Sequence, residues 1–132
     1  MASDMAPAPE TATTTYNGSC HCQSITFTAK LPTSLYEQDI VNCNCSLCFR
    51  NGYLLIYPQK NDVTFHGNSR DFMKGYQFNK RAITHYFCSN CGTSVGGEPV
   101  DDKPPIFAIN IRALPDVDTD KLKLKKVDGK SR

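Results

Sequence analysis

Residues 24–30 read SITFTAK, with Ile25, Phe27 and Ala29 separated by polar neighbours. A period of two lines the apolar side chains along one face, which predicts a strand buried on one side. YLLIY at 53–57 is a short apolar run, and DVTFHG at 62–67 alternates into Gly67. RAITHYF at 81–87 is β-branched and aromatic, and IFAINI at 106–111 alternates again. Turn chemistry separates these runs at residues 58–62, at Gly67-Asn68-Ser69, at Gly92, at Gly96-Gly97 and at Pro104-Pro105. Two short segments read as helical instead, one around Cys48 and one over residues 116–124. With no repeat and no long helical period, the pattern predicts an all-β (β-dominated) fold with one or two short helical segments.

Residues 1–15, MASDMAPAPETATTT, are Ala, Pro and Thr with two acids and no apolar period. They read as a solvated, disordered tail, and the folded domain is expected over residues 16–132. The tail has neither the apolar core of a secretion signal nor the Arg-rich, acid-poor character of a transit peptide. No apolar run approaches membrane-spanning length, so the expectation is a cytoplasmic protein with no membrane partner.

Charge removes another class of function. Fifteen Lys and Arg against 13 Asp and Glu give a formal net of +2, too balanced for a nucleic-acid binder driven by phosphate attraction. The local basic run of Lys121, Lys123, Lys125 and Lys126 has no interleaved aromatics and reads as a solvated face.

Seven cysteines change the picture most. Cytosolic thiols stay reduced, and an odd number cannot all pair internally, so metal binding leads over disulfides. They fall into three groups: Cys20 and Cys22 in SCHC, Cys43, Cys45 and Cys48 in CNCSLC, and Cys88 and Cys91 in FCSNCG. A structural zinc takes four ligands and a catalytic zinc keeps an open position, so seven thiols divide as four and three. Cys88-x-x-Cys91 followed by Gly92 has the form of a zinc-knuckle turn, which supplies half a site. Spacing leaves two partitions open. Cys45 and Cys48 could join Cys88 and Cys91 in a ribbon, or Cys20 and Cys22 could do so and leave 43, 45 and 48 as a trio. The second uses each group whole and is preferred.

GSCHC at 18–22, CNCSLC, HYFCSNCGT at 85–93, FAINIRAL and a late DGKS together resemble the glutathione-dependent formaldehyde-activating enzyme family, which includes the centromere-protein-V type domains. The resemblance runs from about Gly18 to Ser131 and implies an Mss4-like β fold. It implies a structural zinc on Cys20, Cys22, Cys88 and Cys91, and a second, catalytic zinc on Cys43, Cys45 and Cys48. The absent fourth ligand of the trio is then where a substrate thiol or oxygen would sit. Many members carry His between the first two cysteines of the middle motif and a basic residue after the third; here these are Asn44 and Phe49, with Arg50 one step later.

An open three-thiolate zinc lowers the pKa of the group it binds and favours a soft sulfur ligand. The expected activity is therefore that of a zinc-dependent carbon–sulfur lyase or synthase, similar to S-(hydroxymethyl)glutathione synthase. It would act on glutathione adducts of an aldehyde or other electrophile, including a larger intermediate of secondary metabolism. Glutathione is the expected co-substrate, and a small-molecule thiol or its adduct the expected partner. His85, three residues before the knuckle, is the candidate acid or base. Arg50 and Arg112 are candidates to grip glutathione carboxylates, and Asn110 shares a strand face with Arg112 in the resemblance. Tyr53, Tyr57, Tyr76 and Tyr86 are weighed as pocket-lining residues against the commoner role of aromatics in sheets, core packing. Exposed β edges leave a homodimer open. The rival readings are a non-catalytic interaction module with both zincs structural, its middle site closed by His85 or a partner, and redox sensing by Cys45 and Cys48.

Overall fold

The computed structural model describes residues 13–131. The expected tail at residues 1–15 therefore falls mostly outside the described residues, and the first strand opens at Thr14. Ten strands are described: β1 (Thr14–Ser19), β2 (Thr26–Leu31), β3 (Asp39–Cys43), β4 (Leu55–Ile56), β5 (Val63–Phe65), β6 (Met73–Tyr76), β7 (Ile83–Cys88), β8 (Ser94–Pro99), β9 (Ala108–Asn110) and β10 (Lys123–Val127). One α-helix, α1 (Ser46–Asn51), and several single 3-10 turns complete the described elements. The β-dominated fold read from the sequence is the one observed.

The strands form a seven-stranded sheet, in the order β10-β3-β4-β9-β8-β7-β6, and a three-stranded sheet, β1-β2-β5. The alternation in SITFTAK does what a period of two requires: Phe27, Ala29 and Leu31 of β2 are buried together with Ile25 just before it. Phe27 meets Phe65 of β5 at 5.3 Å between centroids, and Phe65 meets Phe107 at 5.2 Å. Phe107 stacks in turn on Tyr86 of β7 at 6.1 Å. This run of rings joins the small sheet to the large one, with Ile40, Val95, Ile109 and Ile111 fully buried around it.

Two sequence expectations are corrected. Residues 116–124 hold only a 3-10 turn, Thr119–Lys121, after which the chain becomes β10, parallel to β3. KLKKV hides its strand character because it has no buried face: four of its five residues are exposed at a sheet edge. Lysines on such an edge discourage pairing with another chain. The Gly96-Gly97 pair, expected at a turn, lies inside β8 between β7 and β9. Gly96 has φ 151°, and a Cβ there would stand 2.0 Å from the Ala108 carbonyl oxygen, so the neighbouring strand can approach only a glycine.

Glu98 of β8 is the charged residue buried deepest in the large sheet, at 8% exposure. Tyr86 Oη donates to its carboxylate at 2.7 Å, with Lys60 Nζ at 3.1 Å and Arg70 Nη1 at 3.4 Å. Burial pushes this carboxyl up, but the Tyr86 hydroxyl, Lys60 and Arg70 outweigh it and hold the pKa below the ordinary value. Glu98→Ala should destabilise the domain by about 3 kcal/mol in urea unfolding at pH 7. Because the folded pKa is depressed, Glu98 stabilises the fold above the unfolded carboxylate pKa and loses that contribution as pH falls through the folded value. The gap between parent and variant should therefore narrow in acid.

Candidate metal centres and the adjoining cleft

Cys20 follows β1, Cys88 closes β7, and the turns after them carry Cys22 and Cys91. Antiparallel pairing within each sheet and packing between them bring the four sulfurs within 4.8 Å of one another. Cys22 Sγ is 3.7 Å from both Cys20 Sγ and Cys88 Sγ. Four thiolates held tetrahedrally at 2.3 Å around zinc have sulfur–sulfur edges of about 3.8 Å, so the observed spacing fits that ion. Backbone N–H groups of Asn90 and Cys91 aim at Cys88 Sγ (3.4 and 3.5 Å), and that of Ile25 at Cys20 Sγ (3.3 Å). The hydrogen bond with Thr93 is the largest influence lowering Cys91 to about 5, and that with Ser24 lowers Cys22 to about 7. Burial pushes Cys20 up to about 11. Thr93 also accepts from the His21 backbone N–H at 3.1 Å, tying the two halves together.

The second cluster is Cys43 at the end of β3, Cys45 at the N-cap of α1, and Cys48 inside that helix. Its three sulfurs also lie within 4.8 Å of one another, and among the described residues no fourth His, Cys, Asp or Glu joins them. Cys45 N–H points to Cys43 Sγ and Cys48 N–H to Cys45 Sγ, each at 3.4 Å. Burial pushes the Cys48 thiol far up. Burial also opposes ionisation of Cys45, but the Cys48 N–H and the neighbouring thiols outweigh it and hold its pKa down. The donor set is thus three soft sulfurs with oriented amides, a chemistry suited to zinc. The structure pairs the cysteines as the preferred partition has it, since Cys45 and Cys48 are not in the cluster with Cys88 and Cys91.

A feature that residue spacing did not reveal closes one side of the trio. The parallel register of β10 on β3 sets Val127 opposite Cys43 and carries residues 128–131 across the cluster. Asn44 clasps this strap: its Nδ2 donates to Asp128 Oδ1 at 3.0 Å, and its Oδ1 accepts from Lys130 N–H at 2.9 Å. Gly129 sits so close that a Cβ would stand 2.5 Å from Cys43 Sγ and 3.1 Å from Cys45 Cβ. Gly129→Ala should lift the strap and speed metal release from the trio to a chelator by about tenfold or more, with the four-cysteine cluster unaffected. Asn44→Ala, which unclasps the strap without a clash, should act in the same direction.

Between α1, strands β6 and β7 and the turn after Cys91 lies a recess of ≈ 230 Å³, lined by Leu47, Asn51, Tyr53, Tyr76 and His85 on one side and reaching Gly92 and Ser94; no cysteine lines it. Tyr53 belongs to both regions. It packs in one buried cluster with Cys48 and stacks on His85 at 6.2 Å. His85 is half-buried, and burial lowers its pKa, so its imidazole is neutral at pH 7. His85 is not among the atoms that cluster with the trio's sulfurs.

The other sequence candidates lie around α1. Arg50 is exposed, donates from Nη1 to the Ser46 carbonyl at 3.0 Å, and lines a groove that shares Leu47 and Tyr76 with the recess. Arg112 is exposed and donates from Nε to the carbonyl of Gly52, the C-cap of α1, at 2.8 Å. Asn110 is buried: its Nδ2 donates to the Ser94 carbonyl at 2.8 Å and its Oδ1 accepts from Arg112 N–H at 3.2 Å. A 3-10 turn begins at Ile111, so the strand alternation that put Asn110 and Arg112 on one face ends at Asn110. Tyr76 and Tyr86 line the recess, whereas Tyr57 lines a groove with Leu31 and Pro58.

The family model for glutathione-dependent formaldehyde-activating enzymes matches residues 15–126. The chain belongs to that family. The match includes all seven cysteines and stops before the 128–131 strap. Membership of the glutathione-dependent formaldehyde-activating family supports an enzyme linked to glutathione, and the two cysteine clusters can hold metal ions. A crystal structure of a Rhodobacter sphaeroides protein from a structural-genomics programme is similar in fold. Its TM-score is 0.70 at 23% identity, over 83% of this chain and 99% of that one. Among curated proteins none matches the chain in sequence. No helix among the described residues is long and apolar enough to cross a membrane.

Proposed function

We propose that the protein is a zinc-dependent carbon–sulfur lyase or synthase that joins glutathione to an electrophilic carbon, or releases it. The observation that carries this reading is the contrast between the clusters, one with four sulfurs and the other with three, whose neighbours Leu47 and Tyr53 line a recess. Cys20, Cys22, Cys88 and Cys91 would hold a structural zinc, and Cys43, Cys45 and Cys48 a catalytic one. A zinc ion on the trio supplies Lewis acidity and lowers the pKa of a thiol that reaches it.

The chain's own residues do the rest. In the synthetic direction a bond forms between the glutathione sulfur and the carbonyl carbon, and the thiol proton ends on the carbonyl oxygen. His85, neutral and facing the recess, carries that proton. Arg50, on the exposed groove beside Leu47, offers its remaining N–H donors to a glutathione carboxylate. Arg112 and Asn110 act through position, fixing the C-terminal end of α1 and the β8–β9 edge by the bonds described above. Tyr53, 2% exposed, lines the recess and packs against Cys48, so one ring borders both regions. The cytoplasm, rich in reduced glutathione, is the compartment this chemistry calls for.

NMR exchange spectroscopy on mixtures of glutathione and formaldehyde tests the reading. The protein should accelerate formation of S-(hydroxymethyl)glutathione, and Cys43→Ser should remove the acceleration. An unchanged rate with formaldehyde and with every larger aldehyde tried would favour the non-catalytic module instead.

A further inference from the structure

The recess beside the trio is walled by rings. We propose that it is a subsite for a planar aromatic group carried on the sulfur of a glutathione thioether, which makes adducts of aromatic electrophiles the substrate class of this chain. The inference rests on reading the trio as a glutathione-handling site and adds the chemistry of the second substrate.

Four rings follow one another from the surface to the trio. Tyr76 stacks on Phe78 at 6.0 Å and 14°, Phe78 meets His85 at 5.6 Å, and His85 stacks on Tyr53 at 6.2 Å and 19°. Exposure falls along this path, from 50% at Tyr76 to 2% at Tyr53, which touches the cysteine cluster. Cross-strand pairing explains Tyr76 beside His85, because β6 and β7 set them opposite one another. It does not explain the space between those strands and α1, where Leu47 and Tyr53 form the facing wall.

The size and polarity of that space select its occupant. A cavity of about 150 Å³ accommodates benzene, so ≈ 230 Å³ holds one ring with substituents or two fused rings. A hydroxymethyl group would leave most of it unfilled, with its aromatic walls wet. No Asp or Glu lines the recess or the two grooves that adjoin it, whereas Arg50 and Lys80 stand in those grooves. Rings within and cations at the rim match a ligand with an aromatic group at one end and the glutathione carboxylates at the other. Tyr76, on the recess, and Ile83, in the adjoining groove, leave exposed apolar surface that such a ligand would cover.

Isothermal titration of the full, zinc-loaded chain with S-benzylglutathione, S-methylglutathione and glutathione tests this. S-benzylglutathione should bind about tenfold more tightly than S-methylglutathione, and the preference should disappear in Leu47→Ala and in Tyr76→Ala, both of which line the recess. Circular dichroism of both variants checks that they fold. Equal affinity for the two thioethers, with glutathione still bound, would overturn the aromatic subsite and leave the glutathione reading standing. No binding of any of the three would overturn both.

Discussion

Cys88→Ala should leave the protein unfolded or aggregated, with no cooperative thermal transition by circular dichroism and no zinc retained at the four-cysteine cluster. Cys88 closes β7, accepts N–H groups from Asn90 and Cys91, and lies 3.7 Å from Cys22 Sγ across 66 residues of sequence. The cluster ties the turn after β1 to the turn after β7, and so the small sheet to the large one. Structural zinc sites contribute on the order of 10 kcal/mol in small domains, comparable with the whole stability of a domain this size. Losing one of four thiolates from a site with a buried Cys20 removes most of that contribution. A folded Cys88→Ala protein with two zincs would contradict the assignment of this cluster as the structural one.

Cys45→Ala should instead give a folded domain with one zinc and turnover reduced by about a thousandfold or more. The structural consequence is small. Cys45 is the N-cap of a single six-residue helix, and losing a cap costs about 1 kcal/mol. The chemical consequence is large, because the trio has three sulfurs and no substitute among its described neighbours. Metal Lewis acidity is worth several kcal/mol of barrier, and each 1.36 kcal/mol is tenfold in rate. Zinc analysis, a melting curve and the exchange assay on one preparation distinguish the outcomes. A folded variant with unchanged turnover would remove the trio from the reaction.

The two substitutions separate what the sequence made legible from what it did not. Cysteine grouping was readable because thiolate ligands come in short local spacings, and the fold only had to bring Cys20 and Cys22 to Cys88 and Cys91. Strand β2 was readable because it has one buried face. Strand β10 was not, since its lysines face solvent and its partner β3 is more than 80 residues away in sequence. The same strand delivers the strap, so the clasp between Asn44 and residues 128–131 was invisible to residue spacing, although DGKS stood out in the family resemblance. Tyr53 and Tyr76 were visible as aromatics in a β-rich chain. What they enclose depends on α1 packing against β6 and β7, a tertiary fact with no local signal. The second expected helix is reduced to the turn Thr119–Lys121, because residues 116–124 pack only Val117 and Leu122 against the core and then run into β10.

The central claim is that CNCSLC forms an open thiol-binding metal site. Zinc stoichiometry by elemental analysis, combined with X-ray absorption to count sulfur neighbours before and after adding glutathione, tests it most directly. The account predicts two zincs per chain, one with four sulfurs throughout and the other with three that gains a fourth when glutathione is present. One zinc per chain, with the trio empty and indifferent to glutathione, would contradict it.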